Sequence, residues 1–357
     1  MDIAVIGYGM MGSSHVQSLR SLGYTVKVII GRNGKKLKNF AKENGIKNWC
    51  TSLDEALEMG IDVLHICTPP VNHYDLIKKA SENNIHVVCE KPFVLDDKQA
   101  EELVALAKEK GIVNALGFNV RFHEACINAK NLIKADKLGN ICLLNGSYEQ
   151  EFHALPSFYS WRYDPKQAGK MLATTEIGSH WIDLMSFLCG KKIEAVSASF
   201  GKFNPKRKLI DGKMYPQSTP EGKEIDIDTD DVAIVTFRLE NGGLANVVLS
   251  EVTPGRYNYL DMRVTGDAGA LWWNSEEINH LSITKKGEQR ISQVLAFTGG
   301  FSASVTNMLR EIYQDIEKGE PSKDVNYATF EDGLINTKVC NAIYASANDD
   351  SKWEKIN

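Results

Sequence analysis

Residues 3 to 22 constrain the fold of this chain more than any other stretch. The apolar run Ile3 to Ile6, of strand type, leads directly into Gly7-x-Gly9-x-x-Gly12, and a helix-compatible segment continues to Leu22. Glycine at 7 permits a tight strand-to-helix turn, and glycine at 9 lets backbone approach a ligand closely. Glycine at 12 lets the helix settle on the strand. The helix N-terminus then offers free N–H groups and partial positive charge, which suit a pyrophosphate. Such glycines also occur in turns that bind nothing. Their place directly after a buried strand favours a dinucleotide, cradled by Gly7, Gly9, Met10, Met11 and Gly12.

From Ile3 to about Asn119, strand-like runs alternate with amphipathic helical stretches. The expected strands are 3–6, 25–30, 63–67, 86–89 and 113–117; helices are expected over 13–22, 35–44, 52–59, 72–83 and 96–110. Near-continuous apolar strands joined by helices predict a parallel, doubly wound α/β sheet of Rossmann type, assigned to residues 1–120. Beyond it the strands lengthen and alternate with period two. Residues 121–357 therefore read as an α+β domain with a large, open, mostly antiparallel sheet. A helix from Thr175 to Cys189 interrupts that sheet, and helices over 302–318 and 327–347 close the chain. The segment from Gly201 to Asp230 carries Pro205, Pro216, Pro220 and many charges, and it reads as a long loop.

Composition narrows the classes of function. With 357 residues, 43% hydrophobic and 24% charged, the chain has the profile of a globular protein of about two domains. A net charge of −5 without a basic face gives no reason to expect nucleic acid. No secretory leader and no apolar run of the ~20 residues that span a bilayer is visible, so no membrane partner is expected. Seven scattered cysteines with no C-x-x-C pair predict neither disulfides nor a metal cluster, and the expected compartment is cytoplasmic.

The second strand ends Ile29-Ile30-Gly31-Arg32-Asn33, where dinucleotide folds normally place an acid for the ribose 2′-OH. Arg32, followed by Lys35 and Lys36, suits a 2′-phosphate instead, which favours NADP over NAD. An Arg32 that only stacks on adenine is compatible with either.

Two further segments carry chemistry. Glu90-Lys91-Pro92 follows a buried strand, so Lys91 stands at the carboxyl end of the parallel sheet, where doubly wound folds bind ligands. As a bare tripeptide it is equally a polar turn. In a helix, Glu176, His180 and Asp183 fall on one face at i, i+4 and i+7, an arrangement suited to proton transfer.

In their order and spacing, Gly7-x-Gly9-x-x-Gly12, Glu90-Lys91-Pro92 and Gly178-x-His180-x-x-Asp183 resemble the Gfo/Idh/MocA oxidoreductase family. Cys67-Thr68-Pro69-Pro70 with Asn72-His73, and Gly117-Phe118-Asn119-Val120-Arg121-Phe122, extend the resemblance over essentially the whole chain. It implies an enzyme, an NAD(P)-dependent oxidoreductase acting on a secondary hydroxyl or ketone of a sugar, sugar derivative or inositol. It also implies that Lys91 hydrogen-bonds the reacting oxygen, that His180 is the base in oxidation, and that Asp183 orients it. Thr68, Pro69, His73, Glu90, Lys91, Asn119, Arg32 and Asn33 would meet the cofactor. Lys91, Arg121, Trp161, Arg162, Glu176 and His180 would meet the substrate.

Glu176 departs from the family's Asp by one methylene, and the upstream glycine run is reduced to Gly169. The resemblance leaves two alternatives open: a glycoside-cleaving, redox-neutral member with permanently held NAD, and a non-catalytic dinucleotide-sensing regulator. It also implies a homodimer or homotetramer through the open sheet, whose Val247, Leu249, Leu271 and Trp273 are expected to divide between its two faces.

Overall fold

A computed structural model describes residues 1–296 and 299–356. The chain forms two compact units, Met1–Phe122 with Gly299–Thr337, and His123–Thr298 with Lys338–Asn357. The return of 299–337 to the first unit departs from the simple division at residue 120.

In the first unit, strands β1 (Ile3–Ile6), β2 (Val26–Ile30), β3 (Asn48–Cys50), β4 (Val63–Ile66), β5 (His86–Cys89) and β6 (Asn114–Leu116) form one sheet in the order β3-β2-β1-β4-β5-β6. Every pairing is parallel. Helices α1 (Met10–Ser21), α2 (Gly34–Glu43), α3 (Leu53–Glu58), α4 (His73–Glu82) and α5 (Asp97–Lys110) make the crossovers. Their starts are sealed locally: the Asn33, Ser52 and Asp96 side chains accept from Lys36, Glu55 and Gln99 backbone N–H.

The second unit opens with helix α6 (Glu124–Lys134) and strand β7 (Ile141–Glu149). The short strand β8 (Ser157–Phe158) and helix α7 (Pro165–Ala168) lead to helix α8 (Ser179–Cys189) and strand β9 (Ile193–Gly201). The segment expected as a long loop instead contains β10 (Lys206–Ile210), β11 (Lys213–Pro216) and β12 (Lys223–Asp226), which join β8 in a four-stranded sheet ordered β12-β10-β11-β8. Asp211 and Gly212 both adopt positive φ, which makes the two-residue hairpin between β10 and β11. Leu209 and Ile225 pack on a buried cluster of Tyr163, Leu172, Met214 and Ile227. That apolar face outweighs the prolines and charges.

The large sheet continues with β13 (Val232–Leu239), β14 (Leu244–Ser250), β15 (Tyr259–Gly266), β16 (Gly269–Asn274), β17 (His280–Lys285) and β18 (Ile291–Val294). The chain then forms helices α9 (Gly300–Lys318) and α10 (Phe330–Ala347) and a last strand, β19 (Glu354–Lys355). The sheet order is β18-β17-β16-β15-β7-β14-β13-β9-β19. All neighbours are antiparallel except β7 and β14.

Helix α9 explains why the chain returns to the first unit. Val305, Met308, Leu309, Ile312 and Ile316 follow helical spacing and join the cluster of Val16, Leu19 and Ile29 on one side of the parallel sheet. Val247, Leu249, Leu271 and Trp273 do not divide between two faces as expected; all are buried. Strand alternation instead exposes Leu244 beside Leu143, and Val248 beside Ile234.

Candidate active site

The first unit presents the glycine cradle at the carboxyl ends of β1 and β4, neighbouring strands where the strand order reverses. Gly7 has φ +95°, and a Cβ there would lie 2.4 Å from the Cys67 carbonyl oxygen. A Cβ on Gly12 would lie 2.0 Å from the Gly7 carbonyl oxygen, so neither position admits a side chain. Gly9 has nothing within 4 Å of its Cβ position. It begins α1 with no side-chain cap, so the first N–H groups of that twelve-residue helix, from Met10, Met11 and Gly12, have no side chain to satisfy them. Close beside this, the Thr68 hydroxyl is buried and meets no hydrogen-bond partner. A bare helix start, an open glycine face and an orphaned hydroxyl fit a dinucleotide pyrophosphate and its neighbouring ring.

Arg32 is exposed just past β2. Asn33 spends its side-chain oxygen on the α2 cap. His73 is fully buried: Nε2 lies 2.9 Å from the Thr68 carbonyl, and Nδ1 lies 2.9 and 3.0 Å from those of Pro92 and Phe93. Its ring therefore ties the Thr68-Pro69 turn to the Lys91-Pro92 turn. Asn119 donates its side-chain amide to Ser304 at 2.7 Å. Arg121 is 3% exposed, 3.2 Å from the Asp332 carboxylate and 3.3 Å from the Asn326 carbonyl. Both hold the 119–122 segment onto the elements that follow residue 299.

Half-buried Lys91 follows Glu90, whose carboxylate lies 3.0 Å from His15 Nε2. His15 Nδ1 lies 2.9 Å from His65 Nδ1, and His65 Nε2 lies 2.8 Å from the Tyr313 hydroxyl. Burial opposes charge on His15, but the Cys67 sulfur and the Glu90 carboxylate outweigh it and lift its pKa to about 10. Burial and the neighbouring His15 charge push His65 well down. A charged His15 donating to Glu90 and to a neutral His65, which in turn donates to Tyr313, satisfies every member of the chain.

In the second unit, a π-helical turn, Thr174–Gly178, precedes α8 and carries Glu176. Such turns often mark functional positions. Asp230 anchors its start, accepting from Leu172 N–H at 2.5 Å and from Thr174 N–H at 2.9 Å. Gly178 lets this turn lie close to β14, where a Cβ would stand 2.5 Å from a Leu249 methyl carbon. His180 and Asp183 are 9% and 4% exposed and lie three residues apart on α8. The Tyr148 ring stands 6.5 Å from the His180 ring, and its hydroxyl donates to Asn258 at 2.7 Å.

The short helical turn Trp161–Tyr163 brings Arg162 over the Trp161 ring at 4.6 Å, and its Nε donates to Glu176 at 2.8 Å. His153 is hydrogen-bonded to the Tyr163 hydroxyl and lies 3.6 Å from the Glu251 carboxylate. Burial pushes the His153 pKa down to about 4, so the ring is neutral.

Some charged groups packed beside these residues stand in no motif. His15 in the first unit falls three residues after Gly12, one helical turn along the cradle helix, and Glu251 in the second directly follows β14. Arg207 lay in the supposed loop, yet its guanidinium is 1% exposed and 2.8 Å from Asp231.

Comparisons with known proteins agree with this layout. Residues 1–118 match the model of an oxidoreductase family with an NAD-binding Rossmann fold, and residues 127–272 match the GFO/IDH/MocA C-terminal domain. Levoglucosan dehydrogenase of Pseudarthrobacter phenanthrenivorans is 28% identical over 306 residues, covering 81% of this chain and 77% of that protein. The scyllo-inositol 2-dehydrogenase (NAD(+)) of Bacillus subtilis is 26% identical over 283 residues, covering 78% and 75%. A solved levoglucosan dehydrogenase in complex with NADH and L-sorbose superposes with a TM-score of 0.91 at 25% identity, covering 100% of this chain and 99% of that one. The chain belongs to the Gfo/Idh/MocA oxidoreductase family, with its NAD-binding Rossmann fold at the N-terminus and its C-terminal domain beyond.

Proposed function

We propose that the protein is a dehydrogenase acting on a secondary hydroxyl, or the matching ketone, of a sugar, sugar derivative or inositol. The observation that carries this reading is an uncapped glycine cradle together with a buried His180 and Asp183 one helical turn apart. The named relatives are a levoglucosan dehydrogenase and a scyllo-inositol 2-dehydrogenase. A nicotinamide dinucleotide supplies or accepts the hydride when bound. Gly7, Gly9, Met10, Met11 and Gly12 hold its pyrophosphate, with Thr68 and Pro69 on the nicotinamide side. Lys91 hydrogen-bonds the reacting oxygen and stabilises alkoxide character. His180 takes the hydroxyl proton during oxidation, and Asp183 fixes the ring's orientation. Glu176, Arg162 and Trp161 receive the remaining hydroxyls. Exposed Arg32 favours NADP over NAD.

The exposed pairs Leu143–Leu244 and Ile234–Val248 lie on one face of the large sheet and support self-association through it. Levoglucosan, myo-inositol and scyllo-inositol, followed by nicotinamide absorbance with each cofactor, test the activity. Failure of every polyol in both directions overturns it. Release of a free sugar from a glycoside without net absorbance change would instead favour the redox-neutral alternative.

A further inference from the structure

Resting on that reading, we infer that Glu176 is a specificity-determining residue which, by occupying the Arg162 guanidinium, makes the substrate pocket select neutral polyols and reject sugar acids and sugar phosphates. A pocket that takes an anionic sugar needs a cation whose charge is not already offset, and arginine is the side chain best shaped for a carboxylate or phosphate. In the second unit, Arg162 is the arginine beside the substrate-binding residues, and Glu176 already holds its Nε at 2.8 Å. The next arginine, Arg207, is equally committed, 2.8 Å from Asp231 with both side chains essentially buried.

A third carboxylate, Glu251, is 1% exposed, lies 3.6 Å from His153 and adds to the negative charge felt by Arg162. His153, in the middle of these groups, is neutral at physiological pH. Three carboxylates thus face two guanidiniums. An incoming anion would meet a guanidinium whose charge Glu176 already offsets, and would stand against that carboxylate's own negative charge. A hydroxyl, by contrast, accepts from Arg162's remaining N–H groups and donates to Glu176, as a pyranose or cyclitol edge requires.

Each neutral polyol that the protein oxidises is paired with its own uronic acid or phosphate ester, for example glucose with glucuronate and myo-inositol with its monophosphate. We expect kcat/KM to favour the neutral member at least about tenfold, the worth of one charge-assisted hydrogen bond. In Glu176→Gln, which keeps the shape and removes the charge, that ratio should shrink about tenfold. Glu176→Asp should retain it. If Glu176→Gln turns over too slowly, calorimetric binding of each pair to the dinucleotide-loaded protein reads the same ratio. Equal or better use of the anionic member by the unaltered protein overturns the inference and leaves the dehydrogenase reading intact, as does an unchanged ratio in Glu176→Gln. No turnover of any polyol overturns both.

Discussion

His15 on α1 and Glu90 at the end of β5 share a hydrogen bond of 3.0 Å in the interior of the first unit, His15 fully buried and Glu90 5% exposed. Gly117 makes room for this pair, since a Cβ there would lie 2.5 Å from the Glu90 carboxylate. The contact joins the helix of the glycine cradle to the residue before Lys91. Removing one partner leaves the other's charge buried alone, which typically costs about 3–5 kcal/mol. His15→Leu should therefore lower stability by about 3 kcal/mol in urea unfolding. Glu90→Gln, which stays polar and removes the charge, should cost less. A loss below about 1 kcal/mol in His15→Leu would show that the pair carries little of the unit's stability.

Lys91→Ala and His180→Ala should each lower the hydride-transfer rate by two to four orders of magnitude, about the usual contribution of a placed acid–base group. Dinucleotide affinity should remain nearly unchanged, because the cradle's main contacts come from backbone. Single-turnover absorbance and fluorescence titration of the purified variants separate the two effects. Undiminished turnover in either variant removes that residue from its role.

Arg32→Asp exchanges an exposed cation for the carboxylate that a ribose 2′-OH prefers. Affinity for NADP should fall at least about tenfold more than affinity for NAD. Equal losses would reject the 2′-phosphate contact and leave adenine stacking as the function of Arg32.

His123 packs at a tilt against Trp273 with ring centroids 5.4 Å apart, and burial pushes its pKa down to about 4. Its unfolded value is about 6.5, so the unfolded chain takes up this proton first as the pH drops. The contribution is complete above pH 6.5 and is lost as pH falls to about 4. Across that window His123 should account for about 3 kcal/mol of lost stability. His123→Phe should flatten the pH dependence of urea unfolding between 6.5 and 4. An unchanged slope would mean that the ring takes up its proton as readily in the fold as in the unfolded chain.

How much of this was legible depended on how local the signal was. The glycine turn, the strand before Lys91 and the caps at Asn33, Ser52 and Asp96 are each encoded within a few residues, and the parallel sheet follows from them. The strand Asn48–Cys50 was invisible because three residues cannot show a period. The sheet in 201–230 was hidden because its strands are four or five residues long and dominated by charged side chains between prolines, although Asp211-Gly212 was a hairpin signal that could have been used. The helical face shared by Glu176, His180 and Asp183 was a fair first description. It could not reveal that Glu176 lies in a π-helical turn, which depends on the anchor at Asp230 more than fifty residues away. Likewise, the commitment of Arg162 to Glu176, and of His73 to three carbonyls, arises from tertiary neighbours that no spacing rule names.

The return of 299–337 to the first unit has a consequence for biosynthesis. When a ribosome has made only the first 122 residues, the nascent Rossmann layer lacks Tyr313 for His65, Ser304 for Asn119 and Asp332 for Arg121. Its apolar side remains uncovered until α9, Gly300–Lys318, has been synthesised. A fragment cut at the apparent boundary should therefore be a sticky, incompletely closed intermediate, and an excised dinucleotide-binding module would need α9 grafted back to stay monodisperse.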